Sequence, residues 1–191
     1  MIRRAAVLAL LLTVVQPALA QQAAGPQESL TCDAPVGRVT RYQRVVGPAP
    51  LRFEAVVKVN QLRSDPKWRP VVNVALSGGK PELYAGFRMV GDATTGKVAV
   101  FALAPGMKPE EATPLGEVAV GQPIALGVMG TDKGTQFGVN GMTRPGPALA
   151  TGNWLFEISC STIDAGVDAL VVRPQPAAPP PPAPAKPGNG R

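Results

Sequence analysis

Apolar and polar residues alternate along most of the chain with a period of two. The clearest run is residues 51–59, in which every second side chain is apolar and the positions between them include Arg52, Glu54 and Lys58. Alternation of this kind predicts a β-strand with one buried face. The same reasoning predicts further strands at Val39–Val46, Val71–Leu76, Leu83–Val90, Val98–Leu103, Glu117–Val120, Ile124–Met129, Thr135–Val139, Trp154–Cys160 and Val167–Val172.

Turn-forming residues separate these strands. Asp132-Lys133-Gly134 and Asn140-Gly141 are typical of hairpins, because tight turns need a positive φ that Gly and Asn tolerate. No stretch of about 12 residues shows a helical period without an interrupting Gly or Pro. Many short strands joined by turns predict an all-β fold, a two-sheet antiparallel β-sandwich of the jelly-roll kind.

The start of the chain departs from this pattern. A basic pair, Arg3-Arg4, precedes an apolar run over residues 5–15 and the ending Ala18-Leu19-Ala20. This arrangement predicts a secretory signal peptide over residues 1–20. The apolar run is shorter than the ~20 residues of a membrane-spanning helix, and no later run approaches that length, so we expect no transmembrane segment in the mature chain.

Two further segments contain little that could be buried. Residues 21–29 are small and polar, which predicts a flexible leader. Residues 174–191 include Pro179–Pro182 and hold no large apolar side chain, which predicts a disordered Pro-rich tail. That tail is either a spacer or a ligand for an aromatic groove on a partner. The β-sandwich domain is therefore expected over residues 30–173.

The chain has two cysteines, Cys32 and Cys160. An exported chain with an even number of cysteines usually pairs them, so we predict a structural disulfide. Two buried thiols or a redox pair are the alternatives, although redox pairs usually lie close together in sequence. The signal peptide and the disulfide together predict a periplasmic or secreted protein.

Most of the net positive charge of the chain lies near its two ends. The 191 residues include 19 Lys and Arg against 13 Asp and Glu, but four of the basic residues fall in the signal peptide and the tail. The body is nearly neutral, so no nucleic-acid partner is expected. A basic bias between Arg38 and Arg69 fits either an anionic glycan or lipid headgroup, or simply solvated positions on strands.

The chain contains no histidine. This excludes Ser-His-Asp and Cys-His catalysis and a His-ligated zinc site, and two cysteines cannot form a four-thiolate site. We expect neither a metal nor a cofactor. Glycoside hydrolysis needs paired carboxylates, yet no two acids alternate along one strand, and Glu54 and Glu157 lie on different strands. We therefore predict that the protein is not an enzyme.

Candidate ligand-binding residues come from the aromatic and basic positions. Trp68 lies between Lys67 and Arg69 in a predicted loop, where it either stacks on a sugar, anchors a protein partner or caps one end of the sandwich. Tyr84 and Arg88 share the outward phase of their strand, so we expect them to face solvent together. The core is the default position for the remaining large aromatic residues, namely Phe53, Phe87, Phe101, Phe137, Trp154 and Phe156.

Several segments resemble laminin-G-like domains. Thr131–Gly141 resembles the late hairpin of these domains, in which a turn, a strand and a Val-Asn-Gly turn follow one another. Gly121–Val128 looks like the strand before that hairpin, and Ala85–Met89 and Asp168–Val172 are similar to the mid-domain and final strands. The resemblance covers most of residues 36–173 and points to the concanavalin A-like lectin/glucanase class.

The resemblance implies a two-sheet jelly roll with a curved face that is often used for glycans or proteins. Two motifs of the class are absent from the sequence, namely the catalytic Glu-x-Asp-x-x-Glu strand and the Asp/Asn-rich metal loop. We therefore expect an exported, non-enzymatic module for a carbohydrate or other envelope component. Its predicted ligand-binding residues are Lys67, Trp68, Arg69, Tyr84 and Arg88. A protein-interaction module tethered through the tail is the alternative, and a glycoside hydrolase is the third hypothesis.

Overall fold

The computed structural model describes residues 27–78, 83–108 and 111–174. These residues form ten β-strands and no α-helix, which confirms the predicted all-β class. The strands are β1 (Glu28–Pro48), β2 (Leu51–Leu62), β3 (Val71–Ser77), β4 (Tyr84–Asp92), β5 (Lys97–Leu103), β6 (Thr113–Ala119), β7 (Pro123–Gly130), β8 (Thr135–Val139), β9 (Met142–Gly146) and β10 (Asn153–Pro174).

The predicted signal peptide lies outside the described residues, as do residues 21–26 of the predicted leader and residues 175–191 of the predicted tail. Within the described part of the chain, no helix is long and apolar enough to cross a membrane.

The strands form two layers, and the long strands β1 and β10 run through both of them. Residues 155–161 of β10 pair with β3, whereas residues 163–174 pair with β2. Layer A therefore has the order β6-β5-β4-β3-β10-β1, with the first half of β10 and the second half of β1. Layer B has the order β1-β10-β2-β7-β8-β9, with the other halves of the two long strands.

Both long strands change direction where they pass from one layer to the other. The β1–β10 pairing is interrupted between Ala34 and Val39, and Gly37 in this interval has a φ of 69°. Opposite it, Thr162 of β10 has a φ of 57°, which is uncommon for a residue with a side chain. The Gly37 N–H donates to Thr162 Oγ1 at 3.4 Å, so the two bends lie side by side.

The inward phases of the two layers form one apolar core. Phe53 of layer B packs edge-on against Phe87 and Phe156 of layer A, with ring centroids 6.1 and 5.5 Å apart. Phe137 of layer B meets Phe87 in the same way at 6.0 Å. Edge-to-face packing of this kind is favourable beyond the area it buries. The layers therefore meet through interleaved aromatic rings, as expected from their inward phases.

The disulfide between Cys32 and Cys160 is present, which confirms that prediction. It joins the first half of β1, in layer B, to the first half of β10, in layer A. Both cysteines are buried in the core. The bond therefore ties the two layers together close to the bends in the long strands.

Two details of the predicted strands and one of the predicted core are wrong. The separate strands predicted at Trp154–Cys160 and Val167–Val172 are one continuous strand, β10. The exposed edge strand β9 was not predicted, because its sequence Met-Thr-Arg-Pro-Gly has no alternation. Phe101 is outside the core: Val98 and Val100 of β5 are buried, so a period of two places Phe101 on the opposite face.

Candidate functional site

A buried carboxylate lies on the face of layer A that is turned away from layer B, here called the outer face. Glu157 has the phase opposite to the core residues Phe156 and Ile158 of β10, as the alternation predicted, yet only 3% of it is exposed. Its direct neighbours on the adjacent strands are Gln43 of β1 and Ala75 of β3. A carboxylate that loses its water needs hydrogen-bonding or charged partners.

Three side chains supply those partners. Gln43 Nε2 donates to Glu157 Oε2 at 2.7 Å, and the Tyr84 hydroxyl lies 3.4 Å from both carboxylate oxygens. Arg41 Nε lies 3.6 Å from Oε1. Glu157 is thus held by a phenol, an amide and a guanidinium that come from two strands on opposite sides of β10.

Small residues let Tyr84 approach Glu157 across the intervening strand β3. Ala75 of β3 is paired with Glu157 on one side and with Gly86 of β4 on the other. The direct neighbour of Glu157 on β3 therefore carries only a methyl side chain, and the Tyr84 hydroxyl comes within 3.4 Å of the carboxylate. A Cβ on Gly86 would overlap the backbone of Val74 and Ala75, so the close approach of β3 and β4 requires glycine here.

The polar cluster borders a cavity of about 220 Å³, here called the Glu157 cavity. Its described lining residues are Arg41, Asn73, Tyr84, Arg88, Leu103, Met107, Glu157 and Ser159. Glu157 is the one carboxylate among them. Asn73 Nδ2 donates to Ser159 Oγ at 3.1 Å, while Asn73 Oδ1 is buried without a hydrogen-bond partner in the described structure. Unsatisfied buried oxygens are rare in folded proteins and are often found where a water or ligand binds.

A larger cleft of about 570 Å³ lies further along the same outer face. It is lined by Arg63, Ser64, Asp65, Arg69, Pro70, Val90, Gly91, Asp92, Ala93, Thr94, Ala99 and Phe101. The N–H groups of Thr94 and Thr95 donate to Asp92 Oδ1, and these hydrogen bonds hold the pKa of Asp92 below its ordinary value. The same hydrogen bonds close the β4–β5 turn.

The predicted ligand-binding residues fall into two groups. Tyr84 and Arg88 line the Glu157 cavity together, and both are half-buried. Lys67, Trp68 and Arg69 lie in the loop between β2 and β3, far along the chain from the carboxylate, and of these Arg69 lines the larger cleft.

Trp68 is 51% exposed and does not line either of these two cavities. Its indole ring lies beside the bend of β1, about 3.8 Å from the place where a Cβ on Gly37 would be. Asp65 Oδ1 accepts hydrogen bonds from the N–H groups of Lys67 and Trp68, which fixes the turn that carries them.

Most of the residues around Glu157 were missed as site residues by the sequence reasoning. A weak signal was present, because a glutamate at the outward phase of a strongly apolar strand, and the spacing of Arg41 and Gln43 on β1, both point to a polar outer face. The sequence does not indicate that β1, β3 and β4 lie beside β10, since these pairings join residues far apart in the chain.

The fold is shared with several proteins of known structure. No family model matches the sequence, and a comparison of the sequence with curated proteins found no match. A polysaccharide lyase of family 18 has a TM-score of 0.55 and 12% identity, over 75% of this chain and 86% of that one. An alginate lyase from Alteromonas sp. 272 has a TM-score of 0.52 and 11% identity over the same shares. A sialidase has a TM-score of 0.51 and 9% identity, and the match covers 78% of this chain and only 15% of the sialidase.

At these identities the likeness shows a common fold. The shared architecture is a jelly-roll β-sandwich, which is consistent with the concanavalin A-like class expected from the sequence. The prediction that the protein is not an enzyme is contradicted, because lyases are among the structures with this fold. That prediction looked for two acids on one strand, whereas the ionisable groups on the outer face come from several strands.

Proposed function

We propose that this protein is an exported enzyme that cleaves an acidic polysaccharide by β-elimination in the Glu157 cavity. The observation that carries the proposal is the buried Glu157 carboxylate held against the Tyr84 hydroxyl in an open cavity. Glu and Tyr are both side chains that transfer protons in enzymes. The lyases that share the fold support a polysaccharide as the substrate class.

The composition of the cavity favours elimination over hydrolysis. Most glycoside hydrolases use two carboxyl groups, one on each side of the scissile bond. The described lining of this cavity offers Glu157 alone. Elimination needs one base, one acid and a group that stabilises the negative charge next to the carbon that loses its proton, and the cavity offers these in Glu157, Tyr84 and the arginines.

The reaction can be written with these residues. Glu157 or Tyr84 takes the proton from the carbon next to the carboxylate of an acidic sugar. The electrons of that C–H bond form a C=C bond, the bond to the glycosidic oxygen breaks, and this oxygen receives a proton from the second of the two groups. Water is not consumed, so the products are an unsaturated sugar end and a new reducing end.

Arg88 supplies the charge that an acidic sugar requires. Arg41 already lies beside Glu157, whereas the Arg88 guanidinium has no carboxylate partner or hydrogen bond among the described residues. An unpaired arginine beside a carboxylate-bearing substrate binds it in a bidentate manner and draws charge from the reacting carbon. Arg88 is therefore the residue that we assign to the substrate carboxylate.

The test is an activity panel on purified mature protein with alginate, polygalacturonate, hyaluronan and a neutral glucan. We expect the ultraviolet absorbance of an unsaturated uronate end to appear with one of the acidic polymers and not with the neutral glucan. Tyr84→Phe is expected to lower kcat by about 10²-fold or more with little change in KM, because it removes one proton-transferring group.

Tyr42→Phe is the matched control, since Tyr42 lies on β1 and packs against the core. Reducing ends without the unsaturated absorbance would overturn elimination in favour of hydrolysis. Binding of a polymer without any cleavage would overturn the enzyme proposal itself.

A further inference from the structure

The Glu157 cavity and the larger cleft are lined by two residues that are direct neighbours in the sheet. Arg88 of β4 lines the first, Phe101 of β5 lines the second, and the two residues lie directly opposite each other in the sheet. The next outward pair, Val90 and Ala99, continues into the larger cleft. From Tyr84 to Val90 the strand advances about 20 Å, at roughly 3.3 Å per residue. The two sites are therefore adjoining parts of one long surface.

Phe101 has the surroundings of a stacking surface. It is half-buried on the outer face, and its neighbours in the cleft include small residues, Gly91, Ala93 and Ala99. Phe101 is the one aromatic residue in the described lining of this cleft. The C–H face of a pyranose ring is apolar, and burying it against an aromatic ring removes both surfaces from water.

Two arginines line the larger cleft, and Arg69 is the one that is available to bind a ligand. Arg63 is already bound to Asp33 at 2.6 Å and to the Ala34 carbonyl oxygen at 2.6 Å. Asp65 and Asp92 accept backbone hydrogen bonds in their own turns. The Arg69 guanidinium, in contrast, has no hydrogen bond or carboxylate partner among the described residues, and its planar donors suit a sugar carboxylate.

We propose that the larger cleft is a second binding subsite of the same enzyme, in which a sugar ring of the polysaccharide stacks on Phe101 and its carboxylate binds Arg69. This inference rests on the proposed function. It adds that the substrate is a chain long enough to extend along β4 and β5 past Arg88, and that affinity grows with chain length. A cavity around Glu157 alone would bind short and long fragments equally well.

The test is calorimetric binding of alginate disaccharide and hexasaccharide to the otherwise wild-type protein, Phe101→Leu and Arg69→Ala, all three carrying Glu157→Gln so that the hexasaccharide is not cleaved during the titration. For each variant we expect the affinity for the hexasaccharide to fall about tenfold, which is about 1.4 kcal/mol, with the disaccharide unaffected. Arg144→Ala on β9 of layer B is the matched control for the loss of a cation, and it should bind both fragments like the wild type. Thermal unfolding of each variant checks that the fold is retained.

The possible failures are distinguishable. If the wild type binds neither fragment, the proposed function fails for this substrate and the subsite fails with it. If the wild type binds both fragments and the variants bind the hexasaccharide unchanged, the subsite is wrong and the function stands. An equal loss of both fragments in Phe101→Leu would also overturn the subsite, because Phe101 would then act by supporting Arg88.

Discussion

Gln43 Nε2 donates a hydrogen bond of 2.7 Å to Glu157 Oε2, and the two residues lie directly opposite each other on β1 and β10 although 114 positions separate them in the chain. The pairing places an amide donor beside a carboxylate that is almost completely removed from water. Hydrogen bonds to a charged group are worth about 1.5–3 kcal/mol each. The polar contacts on the outer face of layer A therefore stabilise the fold and also form the proposed site.

Glu157→Gln is expected to abolish most of the polysaccharide cleavage, by about 10²-fold or more, because the amide can neither take a proton as the base nor give one as the acid. The variant should still fold, since an amide oxygen can accept the Gln43 hydrogen bond. Kinetic assay and chemical unfolding measure the two effects. Glu54→Gln is the matched control: Glu54 lies on the outer face of layer B, pairs with Arg52, and should be active at the wild-type level. Full activity of Glu157→Gln would remove Glu157 from the mechanism.

Trp68→Ala is expected to leave cleavage within about twofold of the wild type, since the indole ring lies beside Gly37 and does not line the Glu157 cavity or the larger cleft. Steady-state kinetics on the polymer measure this directly. A loss of activity of tenfold or more, with the fold retained, would contradict the assignment and would mean that Trp68 contacts the substrate.

Gly86→Ala is expected to destabilise the protein by roughly 1–3 kcal/mol, because its Cβ would overlap backbone atoms of β3 that cannot move aside as a side chain could. Gly127→Ala is the matched control in another strand: the nearest atom to its Cβ is 3.8 Å away, and the change should stay within about 0.5 kcal/mol. Urea unfolding compares the two variants. Equal stabilities would mean that β3 and β4 are less closely packed than the structure indicates.

Removing the disulfide in the double variant Cys32→Ala, Cys160→Ala is expected to lower the free energy of unfolding by about 2–5 kcal/mol. The bond closes a loop with a sequence separation of 128, so it restricts the unfolded chain strongly. Urea unfolding of the variant and of reduced wild type should give the same midpoint. A loss of less than about 1 kcal/mol would indicate that the core alone holds the two layers together.

Much of the fold could be predicted because its signals are local. The alternation over residues 51–59 produced β2, and the Asn140-Gly141 turn does join β8 to β9, with φ values of 48° and 84°. The two cysteines were correctly paired because an exported chain with only two has one possible bond. Phe101 shows the limit of local signals: its aromatic side chain favours burial, whereas the period of its strand places it on the outer face.

By itself, the sequence determined where most of the strands lie, which face of these strands is apolar, and which chemistry the absence of histidine excludes. These features are local: they follow from the chemistry of each side chain and from the alternation of side chains between the two faces of a strand. Only the tertiary structure decided that Glu157 meets Tyr84, Gln43 and Arg41, and that Arg88 lies beside Phe101. The physical reason is that strand order and register are set by packing across the whole core. The residues that share an outer face therefore come from segments far apart in the chain, and the sequence of one segment does not indicate which other segment lies beside it.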